Sequence, residues 1–167
     1  MTRRNFLQSV LGLAAGAATG TAAAAATPDF APLKKSKDDW RKLLPKDAYG
    51  VLFEEDTEYP NSSPLNKEKR KGLFVCAACA LPLFDSSKKF ESGTGWPSFF
   101  DAIPGRLETK TDYKIVFPRK EYHCARCGGH QGHVFDDGPA PTGLRYCNNG
   151  LALTFVADGA ALPELVK

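Results

Sequence analysis

The sequence predicts a mainly β domain, built of short antiparallel strands behind two short helices. Between Leu73 and Ala157, short apolar runs are broken by Gly, Pro, Asp and Ser at close intervals, which is the rhythm of strands joined by tight turns. Helical cues are confined to the stretch before Glu54. With 167 residues, 43% of them hydrophobic, the chain has material for one packed core and no room for a second domain.

Residues 1–26 differ from the rest. Thr2-Arg3-Arg4-Asn5-Phe6-Leu7-Gln8 leads into apolar sequence rich in Gly and Ala that ends in Ala22 to Ala26. A basic start, a mild apolar segment and small residues at its end form a signal-peptide pattern, and the paired arginines before Phe6 and Leu7 resemble a twin-arginine export signal. The alternatives are an uncleaved anchor or a low-complexity tail. Cleavage near Ala26 is expected, leaving residues 27–35 as a linker, residues 36–167 as the domain, and a mature protein that is periplasmic or otherwise extracytoplasmic.

Ser36 is placed to N-cap a helix through Trp40, Leu43 and Leu44, which Pro45 stops. A second helical stretch is expected over Asp47 to Phe53, and Pro60 to Lys71 reads as a polar loop. Strands are expected at Leu73 to Cys79, Leu83 to Phe90 with a turn at Ser86-Ser87, Leu107 to Tyr113, Lys114 to Phe117, Lys120 to Cys124, His133 to Asp136 and Arg145 to Ala157. Pro118 favours an edge or a turn, since proline cannot donate to a ladder.

Without Arg3 and Arg4 the chain carries 20 basic and 19 acidic residues. This balance argues against a polyanion partner, so no nucleic acid is expected. The one dense basic run, Lys67 to Lys71, reads as a solvated surface. The chain is expected to act as a monomer.

Cys76-Ala77-Ala78-Cys79 and Cys124-Ala125-Arg126-Cys127 are two Cys-x-x-Cys hooks separated by 44 residues. Two residues between ligands let both sulfurs of a hook turn toward one ion about 2.3 Å away, and four soft thiolates favour structural zinc, with iron as the alternative occupant. The competing reading makes each pair a redox disulfide, suited to an oxidising compartment. A redox pair normally opens a helix, whereas these lie among strand and turn signals, so the metal reading is favoured. Twin-arginine export agrees with it, because that route is associated with cargo folded, and so metal-loaded, before export.

Cys147, in Gly143-Leu144-Arg145-Tyr146-Cys147-Asn148-Asn149-Gly150, is the cysteine left over. It is either an inert core thiol or a reactive one. Arg145, on the same face of an extended strand, would lower its pKa. Spacing alone leaves both readings open.

Its neighbours bear on the choice. Ser92-Gly93-Thr94-Gly95-Trp96-Pro97-Ser98-Phe99, His130-Gln131-Gly132-His133-Val134-Phe135 and Arg145-Tyr146-Cys147-Asn148-Asn149, together with the two hooks, closely resemble the B-type methionine sulfoxide reductases over about Trp40 to Val156. Several separated motifs in one order are more specific than any one of them. The resemblance implies a small domain of two antiparallel sheets with short N-terminal helices. Its zinc would be held by Cys76, Cys79, Cys124 and Cys127. It makes Cys147 the nucleophile toward the R isomer of methionine sulfoxide in oxidised proteins, passing through a sulfenic acid. It casts His130 and His133 as acid and oxygen-binding groups, Trp96 as the wall against the substrate methyl, Asn149 as a polar orienter and Phe135 as an apolar wall.

Four positions depart from the family pattern. Thr94 stands where many members carry a second cysteine that resolves the sulfenic acid. With the other four cysteines committed to metal, a one-cysteine cycle completed by a thioredoxin-like or other external thiol is expected. Gln131 stands where an aliphatic residue is common, and Asn148 and Gly150 flank Asn149 where an aliphatic residue and a serine are frequent. His123 matches no site position.

Overall fold

The computed structural model describes residues 29–113 and 118–167; the expected signal segment and the expected strand at 114–117 lie outside these residues. The helices form where expected. Helix α1 (Lys37–Leu43) starts on Ser36, whose hydroxyl accepts from the backbone N–H of Asp39, and α2 (Lys46–Glu54) follows directly after Pro45. Trp40 of α1 stacks on Phe53 of α2 with ring centroids 5.2 Å apart, which closes the pair into a small apolar lid. No helix among the described residues is long and apolar enough to cross a membrane.

Among the described residues, nine strands form two sheets. They are β1 (Gly72–Cys76), β2 (Pro82–Asp85), β3 (Lys89–Phe90), β4 (Ser98–Phe99), β5 (Leu107–Asp112), β6 (Arg119–Cys124), β7 (His130–Phe135), β8 (Arg145–Asn148) and β9 (Leu153–Ala157). One sheet has the order β2-β1-β9 and the other β3-β4-β8-β7-β6-β5, and all pairings are antiparallel. The expected mainly β architecture of two antiparallel sheets is the observed one. Phe74 and Phe84 from the small sheet meet Phe99 from the large one at 4.9 and 4.2 Å between ring centroids, and all three side chains are fully buried. Each such ring contributes about 1.5–3 kcal/mol on burial, so this aromatic cluster is the main fastening between the sheets.

Three expected strands differ from the observed ones, and one observed strand has no counterpart among them. The run expected from Leu73 to Cys79 ends at Cys76, because the hook itself folds as a turn in which Ala80 N–H donates back to Cys76 O. The run expected from Arg145 to Ala157 is broken into β8 and β9, which lie in different sheets, with a 3-10 turn over Gly150–Ala152 between them. The buried carboxylate of Glu58 fixes that break by accepting from the N–H groups of Gly150 and Leu151 at 2.6 and 3.0 Å. Strand β7 begins at His130, three residues before the expected start. Strand β4 is two residues long after Pro97 and carries no periodic signal to find it by.

Candidate active site and metal centre

The two hooks fold alike. In each, the residue after the second cysteine is left-handed (Ala80 φ 63°, Gly128 φ 72°). Its N–H donates to the carbonyl of the first cysteine, at 2.9 Å in one hook and 2.8 Å in the other. The N–H of the first cysteine is in turn taken by Leu81 O or Gly129 O. These turns aim four sulfurs at one point. All four lie within 4.8 Å of one another, with Cys76 to Cys127 at 3.7 Å and Cys79 to Cys124 at 3.5 Å across the hooks. A tetrahedral zinc with 2.3 Å bonds needs sulfurs about 3.8 Å apart, whereas a disulfide needs about 2.05 Å. The cluster therefore fits a tetrahedral ion, and its cross-hook pairing is not that of two redox hooks. Mutual hydrogen bonding splits the thiols, Cys79 being pushed far down and Cys76 well up, a conflict that a shared dication relieves.

Cys147 lies on β8 directly between Ser98 of β4 and His133 of β7. Beside it opens a cavity of about 150 Å³ walled by Thr57, Trp96, His133, Phe135 and Asn149 among others. A larger groove of about 980 Å³ runs along α2 and β9, but no cysteine and no histidine lines it, so the chemistry belongs to the smaller cavity.

The two imidazoles reach one face of the sheet through an irregularity. Tyr122 pairs with Gly132 and the next residue, His123, pairs with His130, so Gln131 is an extra residue in β7, a β-bulge. Residues three apart on a regular strand point to opposite faces; the bulge restores His130 to the side of His133, and their rings sit 5.6 Å apart, edge to face. Each ring has its own carboxylate. His133 donates from Nε2 to Asp112 Oδ2 at 2.9 Å, and Arg119 holds the same oxygen at 2.6 Å. His130 donates from Nδ1 to Glu121 Oε1 at 2.7 Å. Burial lowers the His130 pKa despite this carboxylate, so that ring is neutral near pH 7. His130 stands behind His133, outside the cavity wall.

The Cys147 thiol is half-buried, and burial raises its pKa. Arg145 and a hydrogen bond with Thr94 act in the opposite direction without overcoming it. Arg145 lowers the pKa as expected, but burial outweighs it and the net shift is upward. Arg145 gives both ends of its fork to Asp137, at 2.8 and 2.9 Å, and lies over the Phe135 ring. Thr94 meets Cys147 from the position where a resolving thiol was considered, and its hydroxyl continues through Ser92 to Ser98, at 2.8 and 2.7 Å.

Comparison with known proteins agrees with this arrangement. The SelR domain profile matches residues 44–157. The chain belongs to the SelR family, the B-type peptide methionine sulfoxide reductases. It is 51% identical over 127 residues to the peptide methionine sulfoxide reductase MsrB of Methanosarcina barkeri, a match covering 75% of this chain and 89% of that protein. It is 48% identical over 124 residues to the MsrB of Agrobacterium fabrum, covering 74% and 92%. The chloroplastic peptide methionine sulfoxide reductase B1 of Arabidopsis thaliana is 47% identical over 126 residues, or 75% of this chain and 61% of that protein.

In this SelR-family chain the cavity gathers Cys147, His133, Trp96, Phe135 and Asn149, while His130 and Arg145 support it from behind. Asn149 is itself tied down: its Oδ1 accepts from Glu58 N–H and its Nδ2 donates to Gln131 O. Several contributors were not legible beforehand. Asp112, Glu121 and Arg119 are polar residues on strands, a pattern that reads as a solvated face. Glu58 lies 38 residues before Trp96, yet its carbonyl accepts from Trp96 Nε1 at 3.2 Å. No local signal marks a buried carboxylate. His123 pairs with Glu108 at 3.4 Å, away from the cavity.

Proposed function

We propose that this chain reduces the R isomer of methionine sulfoxide in oxidised proteins, with Cys147 as nucleophile. The observation that carries the proposal is the alignment of Cys147 with His133 across one ladder, at the mouth of a small cavity walled by Trp96 and Phe135. The aromatic wall suits the methyl group at the apolar end of a sulfoxide. Cys147 attacks the sulfoxide sulfur as His133 takes the thiol proton and hands it to the sulfoxide oxygen; the oxygen, carrying that one proton, passes to the Cys147 sulfur as its bond to the methionine sulfur breaks, and methionine leaves as the thioether. The oxygen remains on Cys147 as a sulfenic acid, so a thiol and a sulfoxide become a sulfenic acid and a thioether. Asp112 occupies Nε2 of His133, which leaves Nδ1 to exchange the proton. A first external thiol then condenses with the sulfenic acid, releasing water and forming a mixed disulfide, and a second thiol regenerates Cys147 as the external disulfide forms. Thr94 cannot take the resolving part.

The four-cysteine centre holds zinc structurally, joining the turn after β1 to the turn after β6. Export by the twin-arginine route places the enzyme in the periplasm, where it acts as a monomer with a thioredoxin-like reductant. Separate R and S sulfoxide peptides, supplied with dithiothreitol, test the reading. Consumption of the R isomer alone, abolished by Cys147→Ser, is expected; S-selective turnover, or activity that survives that substitution, would refute it.

A further inference from the structure

Gln131 is fully buried, and the bulge that turns it out of the β7 register sends its amide to the core side of the sheet. A buried amide costs free energy unless both ends are satisfied. Here they are, and by meaningful partners. Nε2 donates to Cys76 Sγ at 3.5 Å, while Oε1 accepts from Asn148 Nδ2 at 3.4 Å. The carbonyl of Gln131 accepts from both the N–H and the Nδ2 of Asn149, at 2.8 and 3.1 Å. Asn148 in turn takes the hydroxyl proton of Tyr122 on Oδ1, at 2.8 Å, and pairs with Gly132 in the ladder. Donors therefore run in one direction, from Tyr122 to Asn148 to Gln131 to the Cys76 sulfur, and the last acceptor is a thiolate whenever that cysteine ligates a cation. Both residues that follow Cys147 hang from this one side chain and its carbonyl.

We propose that Gln131 is a positioning residue that couples the four-cysteine centre to the end of the strand carrying Cys147. It tunes the charge on Cys76 Sγ at one end and sets the seat of Asn148 and Asn149 at the other. The proposal deepens the reading given under Proposed function and rests on it. An aliphatic side chain at this position would fill the same space, but would leave Cys76 without this donor and Asn148 Nδ2 with the Asn149 carbonyl, at 2.8 Å, as its remaining acceptor. In this chain, therefore, the metal centre and the nucleophile are linked by a polar bridge as well as by packing.

The test uses Gln131→Met, which keeps volume and loses both polar ends, and Gln131→Glu, which keeps an acceptor for Asn148 but puts a carboxylate against the sulfur. Each is loaded with cobalt in place of zinc, and the sulfur-to-cobalt charge-transfer band is recorded beside the wild type. Zinc release to a chromogenic chelator and steady-state kinetics on a short R-sulfoxide peptide follow. The band is expected to move to lower energy in both variants, with zinc release about 10–100-fold faster. In Gln131→Met, kcat is expected to fall about tenfold with KM held, and in Gln131→Glu the kcat loss should be smaller, because Asn148 keeps its acceptor. An unmoved band, or a moved band with kcat unchanged in Gln131→Met, would overturn the coupling. If Gln131→Met does not fold, the band and release rate of Gln131→Glu decide the sulfur end and its kcat the other. A wild type that takes up no cobalt would sink the metal reading and this one with it, whereas loss of R-selectivity in the wild type would sink only the catalytic reading.

Discussion

Cys147 and His133 stand directly opposite each other in the β7–β8 ladder, so their side chains rise from the same face of the sheet as direct cross-strand neighbours. The pair is positioned by backbone hydrogen bonds and does not depend on a mobile loop. His133→Gln should therefore lower kcat by about 10²–10⁴-fold, the usual worth of a positioned proton donor, while KM for a short sulfoxide peptide stays close to that of the wild type. His130→Gln, one ring further from the cavity, should cost less. A KM effect larger than the kcat effect for His133 would argue that the ring binds substrate without donating a proton.

Burial holds the Cys147 thiol above its ordinary range, with Arg145 and Thr94 pulling it down. The thiolate is the reactive form, so alkylation of Cys147 by iodoacetamide should still be accelerating as pH passes about 8.5, where an ordinary cysteine nears half-ionisation. Thr94→Val and Arg145→Leu each remove a group that lowers the pKa, and both should slow alkylation at pH 8. Mass spectrometry of the modified peptide reads the rate, and a plateau below pH 8 would contradict the assignment.

Gly132 lies where β7 passes Cys147, and a Cβ added there would meet the carbonyl oxygen and carbon of Cys147 at less than van der Waals distance. Gly132→Ala should force the two strands apart beside the nucleophile. A loss of about 1–3 kcal/mol in urea unfolding is expected for overpacking of this kind, together with a fall in kcat.

Ala80 holds a left-handed conformation that its counterpart in the other hook, Gly128, adopts without penalty. Ala80→Gly should remove strain of about 1 kcal/mol and raise the melting temperature by about 2–4 °C in a chain of this size. Gly128→Ala should do the reverse. Calorimetry on the metal-loaded protein checks both signs.

Much of this was written in residue type and spacing. Ser36, Pro45 and the apolar periodicity were enough for both helices, because capping and proline geometry are local. The two hooks disclosed the metal centre, since two intervening residues suffice to turn a pair of sulfurs together, and Cys147 stood out as the cysteine with no partner in a hook. What the tertiary structure decided lay in contacts between segments distant in the chain. Only the ladder register places Cys147 against His133. Only the bulge at Gln131 brings His130 to the same face, because a spacing of three on a regular strand would have divided the two rings. Asp112, Glu121 and Glu58 became part of the site through burial, and burial belongs to the packed molecule. The same cause sets the net shift at Cys147: sequence shows that Arg145 is near, and it does lower the pKa, but the larger cost of removing a thiolate from water exists only once the sheets have closed.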